Sequence, residues 1–437
     1  MTSSSRIHPT LLAAIGALTI LVAALTMLLT SRGAPVPAPD AGAAPAARTP
    51  EAAVARAEAA LAADPDDAVA LGNLATAAFL QAGATGEPTW LTTSQRAAQR
   101  AVALDPRDFR SMDVLGHIAL TRHQFADALV WARRSLAVAP TRVAPVAIRA
   151  DALVELGRYD AAFAAVQRRL DLRPDLPAYS RASYALELQG DRAGATRLMA
   201  MAAAAGGAGT ADRAWALQHM GLLRFGDGDL AGAERDMRTA LAEVPGDAGA
   251  TAGLARVLSA RGDLAGALAL LDEAVAGAPS PELLAERAEV HGAMGNGAAE
   301  RADAEAAASL ERRIAGADGN VDLEIAVLRA DVGVPPARDV ALAIRDRGAR
   351  PGVSSDAALG WVLTRAGRCA EADGFATRSL RLGTRDPLML FRAGMAASCA
   401  GRPAVARQRL TAALALNPAF SPRWAPVARR ELARLPR

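Results

Sequence analysis

Residues 154–176 read VELGRYDAAFAAVQRRLDLRPDL, and the architecture of the chain follows from them. Gly157 separates two helical stretches, and Pro174 closes the second. Glycine accepts the left-handed conformation that a helix end often needs. Proline cannot continue a helix but opens the next one well. The spacing predicts one helix over roughly Ala144–Leu156 and a second over Tyr159–Leu172. Ala162 is small where the two must approach, and Leu153 and Val166 fill the space beside it.

The same punctuation recurs. Pro106, Pro140 and Pro174 lie 34 residues apart, as do Pro245 and Pro279. Gly333, Gly367 and Gly401 are 34 apart, as are Gly228 and Gly262. Ala128 and Ala267 repeat the phase of Ala162. A period near 34 with fixed Gly and Pro phases marks stacked helix–turn–helix units. Function then belongs on a surface rather than in a pocket.

Ten units are expected, starting near 65, 109, 143, 176, 214, 248, 281, 319, 353 and 387, after a lone helix at 51–63. The first is stretched, with 41 residues from Pro65 to Pro106. The excess is read as a loop over Gly83–Thr92 that leaves Trp90 at the surface. Gly206-Gly207-Ala208-Gly209 is the internal hinge candidate.

The pattern resembles the tetratricopeptide repeat family over about residues 51–420. Finer stretches resemble membrane-anchored or extracytoplasmic bacterial members: VELGRYDAAFAAVQRRLDLRPDL, ALGWVLTRAGR (358–368), LRLGTRDPLMLFRAGM (380–395) and LNPAFSPRWAP (416–426). The resemblance implies an all-α solenoid and an extracytoplasmic compartment, but no reaction. Cys369 departs from it, standing where Tyr or Phe usually follows the Gly-Arg turn.

Leu11–Leu29 is a run of 19 uncharged residues. About 20 apolar residues cross a bilayer core, and signal-peptide apolar regions are usually shorter. A transmembrane anchor over 10–30 is therefore expected. It follows a short tail over 1–9 and precedes a Pro/Ala-rich linker over 31–50. A signal peptide cut near Ala43 is the alternative. Flanking charge, Arg6 against Arg32, is nearly even, and the short tail favours the solenoid outside. Residues 421–437 read as a C-terminal capping helix.

All 49 basic side chains are arginine, and the net charge is only +3. Interspersed signs argue against nucleic acid. Without lysine no phosphate-cradling Gly/Lys loop can exist, and no HExxH, CxxC or G-x-S-x-G occurs. No cofactor, catalytic residue or metal ligand is expected. His291 reads as a core or edge histidine, His123 as a turn residue at a Gly phase, and His117 as an inner-face candidate. Alternating carboxylates such as Glu300, Asp303 and Glu305 read as solvated faces. Arg423, Arg429, Arg430, Arg434 and Arg437 read as the wet face of the cap, with anionic lipid or an acidic partner as the alternative.

In the resembling family the first helix of each unit lines the concave side. That phase puts Arg110, Asp113, His117 and Asp151 there, then Tyr184, Trp215, Gln218, Phe225, Arg256, Glu289 and Trp361. Tyr184, Trp215, Gln218, Phe225, Arg256 and Trp361 are the expected partner-binding residues. Exposed aromatics beside arginine are what binding surfaces use as anchors. The alternative is that these rings fill gaps between helices. The expected function is a non-enzymatic scaffold, tethered to the cytoplasmic membrane, that holds a peptide or helix of another protein. A soluble secreted binding protein and an accessory factor for envelope metal or transport systems are the alternatives.

Cys369 and Cys399 are the only cysteines. They sit in adjacent units, one opening a second helix and the other closing the next first helix. Antiparallel packing places both at one rim, so a disulfide is expected if their Cα atoms lie within about 7 Å. Two buried thiols are the alternative.

Overall fold

The computed structural model describes residues 49–316 and 319–436. The expected tail, transmembrane anchor and most of the linker lie outside the described residues. Among the described residues there are 22 helices and no extended strands. A lone first helix, α1 (Pro50–Ala63), is followed by antiparallel hairpins. These are α2 (Ala68–Thr85) with α3 (Pro88–Leu104), α4 (Phe109–Thr121) with α5 (Phe125–Val138), and α6 (Val143–Glu155) with α7 (Tyr159–Leu172). Next come α8 (Leu176–Glu187) with α9 (Arg192–Ala205), α10 (Ala211–Gly226) with α11 (Leu230–Glu243), and α12 (Ala248–Ala260) with α13 (Leu264–Gly277). Then α14 (Pro281–Ala293) pairs with α15 (Gly297–Ala315), α16 (Asp322–Val332) with α17 (Ala337–Ala349), and α18 (Val353–Arg365) with α19 (Cys369–Ser379). The series ends with α20 (Pro387–Cys399), α21 (Pro403–Leu416) and α22 (Trp424–Arg434).

Local chemistry explains the boundaries. Asp108 caps α4 by accepting from the Arg110 and Ser111 backbone at 3.0 and 3.1 Å. Asp67, Asp247 and Asp386 do the same one repeat or more away. Such caps satisfy the donors that a helix start leaves unpaired. The glycine phase is the left-handed position: Gly157 has φ +67° and Gly262 φ +90°. His123 occupies that phase with φ +56° and is the only described non-glycine residue at positive φ. Its Nδ1 lies 2.6 Å from the Asn320 carbonyl, and its ring stacks on Phe125 at 5.5 Å. Gly333 keeps the sequence phase but does not adopt positive φ.

Ala128, Ala162 and Ala267 are fully buried where paired helices touch. Two sequence readings need correction. The extra length of the first unit is not a loop: α2 and α3 are extended to 18 and 17 residues, and only Gly86 and Glu87 join them. Trp90 lies in the first turn of α3 and is half-buried. The α2 helix is long and apolar enough to span a membrane, yet half of it is buried, and it packs against α1 and α3. The glycine run 206–209, the hinge candidate, forms the turn between α9 and α10. Thr210 donates to the Gly206 carbonyl at 2.7 Å, and the Gly209 N–H donates to Glu243 at 3.2 Å.

The chain divides into two compact units. The larger holds Tyr179–Ala307 together with 323–436, and the smaller holds 49–178 together with 308–322.

Candidate partner-binding face

In the larger unit the expected inner-face residues begin on α8 and α10. Trp215 and His219 stand one turn apart, with ring centroids 3.9 Å apart. His219 Nδ1 donates to the Trp215 carbonyl at 2.9 Å. Burial pushes its pKa down to about 4, so the ring is neutral. Its Nε2 and the Trp215 Nε1 are buried without hydrogen-bond partners. The Gln218 amide lies against Gly249, and a side chain there would require that amide to move.

Charge gathers further along this face. Arg256 Nη2 and Nε donate to Glu286 Oε2 at 2.6 and 3.0 Å. Burial alone would lower the Arg256 pKa, but Glu286, Glu289 and Asp386 raise it. Burial lifts Glu187 to about 8; Asp386 and Asp227 add to this and Arg192 opposes it. Burial and the nearby Glu286 lift Glu289 to about 7, against the Ser421 hydrogen bond and Arg256.

Asp386 and Ser421 come from the far end of the same unit, which closes on this face. Asn417 Nδ2 donates to the Phe225 carbonyl at 2.6 Å across 192 residues of sequence. A Cβ on Gly228 would meet the Leu416 carbonyl at 3.0 Å. The Ser421 hydroxyl donates to Glu289, and Arg423 pairs with Glu300. Behind this connection, Trp424 stands edge-on to Trp361 at 5.2 Å and packs on Phe391 at 5.7 Å. Trp361 Nε1 donates to Asp331 at 2.7 Å, and Arg392 holds the same carboxylate at 3.1 Å.

The six expected partner-binding residues therefore share one unit but do not form one open surface. Trp215, Phe225 and Trp361 are 7, 6 and 2% exposed, and Tyr184, Gln218 and Arg256 are half-buried. The expectation of exposed rings is corrected for Trp215, Phe225 and Trp361: Trp361 packs on Phe391 and Trp424, and Asn417 reaches the Phe225 carbonyl. Asn417 and Ser421 are not among the expected site residues, and Arg423, read as the wet face of the cap, instead pairs with Glu300. Asparagine occurs only four times in the chain, and that rarity was the available signal.

In the smaller unit, Asp113 accepts from Ser135 at 2.6 Å and from Arg142 at 2.8 Å. Arg142 also lies over Phe109 at 4.5 Å. Arg110 is exposed, His117 is half-buried 6.0 Å from Phe79, and Asp151 is half-buried. His291 is half-buried, 3.8 Å from Asp303. Among the described residues no three His, Cys, Asp or Glu side chains converge as a metal ion would require.

Cys369 begins α19 and Cys399 ends α20. Their Cα atoms are 5.2 Å apart and their sulfurs are bonded.

Residues 224–290 match a tetratricopeptide repeat family model. No curated protein sequence matches the chain. A thermophilic tetratricopeptide protein of Thermus thermophilus is similar in structure, with 18% identity and TM-score 0.36 over 39% of this chain and 91% of that one. The pilF protein of Pseudomonas aeruginosa is similar with 15% identity and TM-score 0.38, over 46% of this chain and 92% of that one. The Gly/Pro period is thus realised as antiparallel helix hairpins, and the segment 224–290 within them is similar to the tetratricopeptide repeat.

Proposed function

We propose that this protein is a membrane-tethered, non-enzymatic scaffold of the cell envelope that captures a segment of a partner protein on the inner face of α8–α14. One observation carries the reading. That face already grips a stretch of polypeptide, the protein's own connection 417–423, through a main-chain carbonyl and a carboxylate, with an ion pair to α15 beside it. A face that holds irregular chain this way offers the same hooks to a partner segment once its own connection moves aside. The uncharged run Leu11–Leu29 supports the tether. The Cys369–Cys399 bridge supports an oxidising compartment.

The test uses the full chain in intact cells, with a photo-crosslinking residue at position 218, because the chain has no lysine for amine reagents. Crosslinks to one partner segment are expected, and they should strengthen when Asn417→Ala and Ser421→Ala loosen the connection. Crosslinks that stay within the chain in both forms overturn the capture. Detergent, but not high salt, should extract the protein from membranes. A soluble form beginning after about residue 40 would overturn the tether and favour a secreted binding protein.

A further inference from the structure

The larger unit contains a cleft of about 360 Å³ at the junction of α14, α18 and the start of α22. Arg365, Arg423 and Arg430 line it, with Trp424 and Gly292 among the walls. The three guanidiniums differ in how they are spent. Arg365 gives Nε to the Ala330 carbonyl at 2.8 Å and Nη2 to the Gly333 carbonyl at 3.2 Å. Carbonyls fix its orientation without neutralising it, and Nη1 is left over. Arg423 pairs with Glu300 and lies over the Trp424 ring at 4.5 Å. Arg430 is exposed and makes no ion pair among the described residues.

The neighbouring carboxylates are largely committed elsewhere. Asp331 is held by Trp361 and Arg392, and Glu431 accepts from Ser398. Glu300 and Glu289 face Arg423. Burial pushes the Arg365 and Arg423 pKa values below the usual arginine range. A partly desolvated guanidinium gains most from an anion placed beside it, and its planar fork suits tetrahedral oxyanions.

We propose that this cleft is a binding site for a small phosphate-bearing anion, with Arg365 and Arg430 as the main donors and Arg423 shared between the anion and Glu300. The site shares Arg423 with the connection 417–423, so a partner that displaces that connection would also remove one donor, whereas phosphate titration reads the cleft without any partner. Its ligand chemistry is common to free phosphate esters and to the head groups of anionic phospholipids.

The test is calorimetric titration of the full chain in detergent with inorganic phosphate, against sodium chloride at matched ionic strength. Arg430→Glu lies on an exposed helix face and should leave the fold intact. Loss of one charge-assisted contact and its replacement by repulsion should weaken phosphate binding roughly tenfold or more. Arg365→Lys keeps the charge but loses the fork, and should weaken it about threefold or more. Saturable phosphate binding that both variants weaken supports the site. No binding, equal heat from chloride, or equal affinity in both variants overturns it. Flotation with vesicles of anionic or zwitterionic phospholipid distinguishes the sources. Arg430-dependent flotation on anionic vesicles alone assigns the site to head groups, and its absence beside phosphate binding assigns it to a soluble ester.

Discussion

The two units answer the same repeat pattern in opposite ways. In the smaller unit the inner-face residues stay separate. Arg110 is exposed, Asp113 is closed off by Ser135 and Arg142, and Val69 at the start of α2 is 72% exposed. In the larger unit the equivalent positions are packed. Trp361 is 2% exposed, and half-buried Glu187 and Glu289 are desolvated enough to hold protons near neutrality. The repeat phase is the same in both. What differs is whether another part of the unit returns to cover the face. A position in the repeat therefore does not decide whether water reaches a side chain.

The largest effect that could break this comparison is loss of Trp361. Its ring joins Phe391, Trp424 and an Asp331 hydrogen bond. Trp361→Ala should destabilise the larger unit by roughly 3–5 kcal/mol. Hydrogen-exchange mass spectrometry should show faster exchange across 323–436 and unchanged exchange across 49–138. Uniform loosening of both would show that the two regions unfold together.

The disulfide ranks next. Reduction, or Cys369→Ser with Cys399→Ser, removes a link spanning 30 residues. The usual loop-entropy estimate for that length is about 3–4 kcal/mol. Differential scanning calorimetry should show the transition of the larger unit falling while any separate transition of the smaller unit stays put.

A smaller effect should follow pH. Glu187 and Glu289 have folded pKa values raised to about 8 and about 7, so the folded state binds more protons than the unfolded one above pH 4.5. Their contribution to stability is therefore present at low pH and is lost as pH rises towards 8. His219, lowered to about 4, acts the other way, but only between pH 4 and its unfolded value of about 6.5. Above pH 6.5 the carboxylates act alone. The melting temperature of the larger unit should fall by roughly 3 °C or more between pH 6.5 and 8.5, and Glu187→Gln should flatten the slope. A slope unchanged by that substitution would mean that Glu187 is better solvated than its surroundings imply.

The smallest effect concerns His123 in the smaller unit. Glycine there would relieve a left-handed backbone costing about 1 kcal/mol but would forfeit a hydrogen bond of similar worth. His123→Gly should shift stability by less than about 0.5 kcal/mol. A clear gain would show that the Asn320 contact contributes little.

The local part of this fold was legible from the sequence. Asp caps, left-handed glycines and closing prolines act within a few residues, so the starts at Phe109, Val143, Leu176, Ala248, Pro281, Val353 and Pro387 can be read directly. The first hairpin misled because 41 residues between prolines can be spent on loop or on extra helical turns, and spacing does not distinguish them. The covered face was not legible. Asn417 reaches Phe225 over 192 residues and Ser421 reaches Glu289 over 132, and contacts at such separations follow no repeat. Trp215 shows the limit: the repeat phase carries no information on burial, and the residue is 7% exposed.

The Cys369–Cys399 bridge also bears on how the molecule answers a pull. Stacked hairpins without cross-links peel away one at a time, each releasing its full contour. Here the 30 residues between the sulfurs are short-circuited. At about 3.5 Å per extended residue, roughly 100 Å of slack is withheld from a chain stretched by its ends. Under force α19 and α20 would yield as one riveted block, and a thiol reductant would release that hidden length, turning the last hairpins from a stop into a spring.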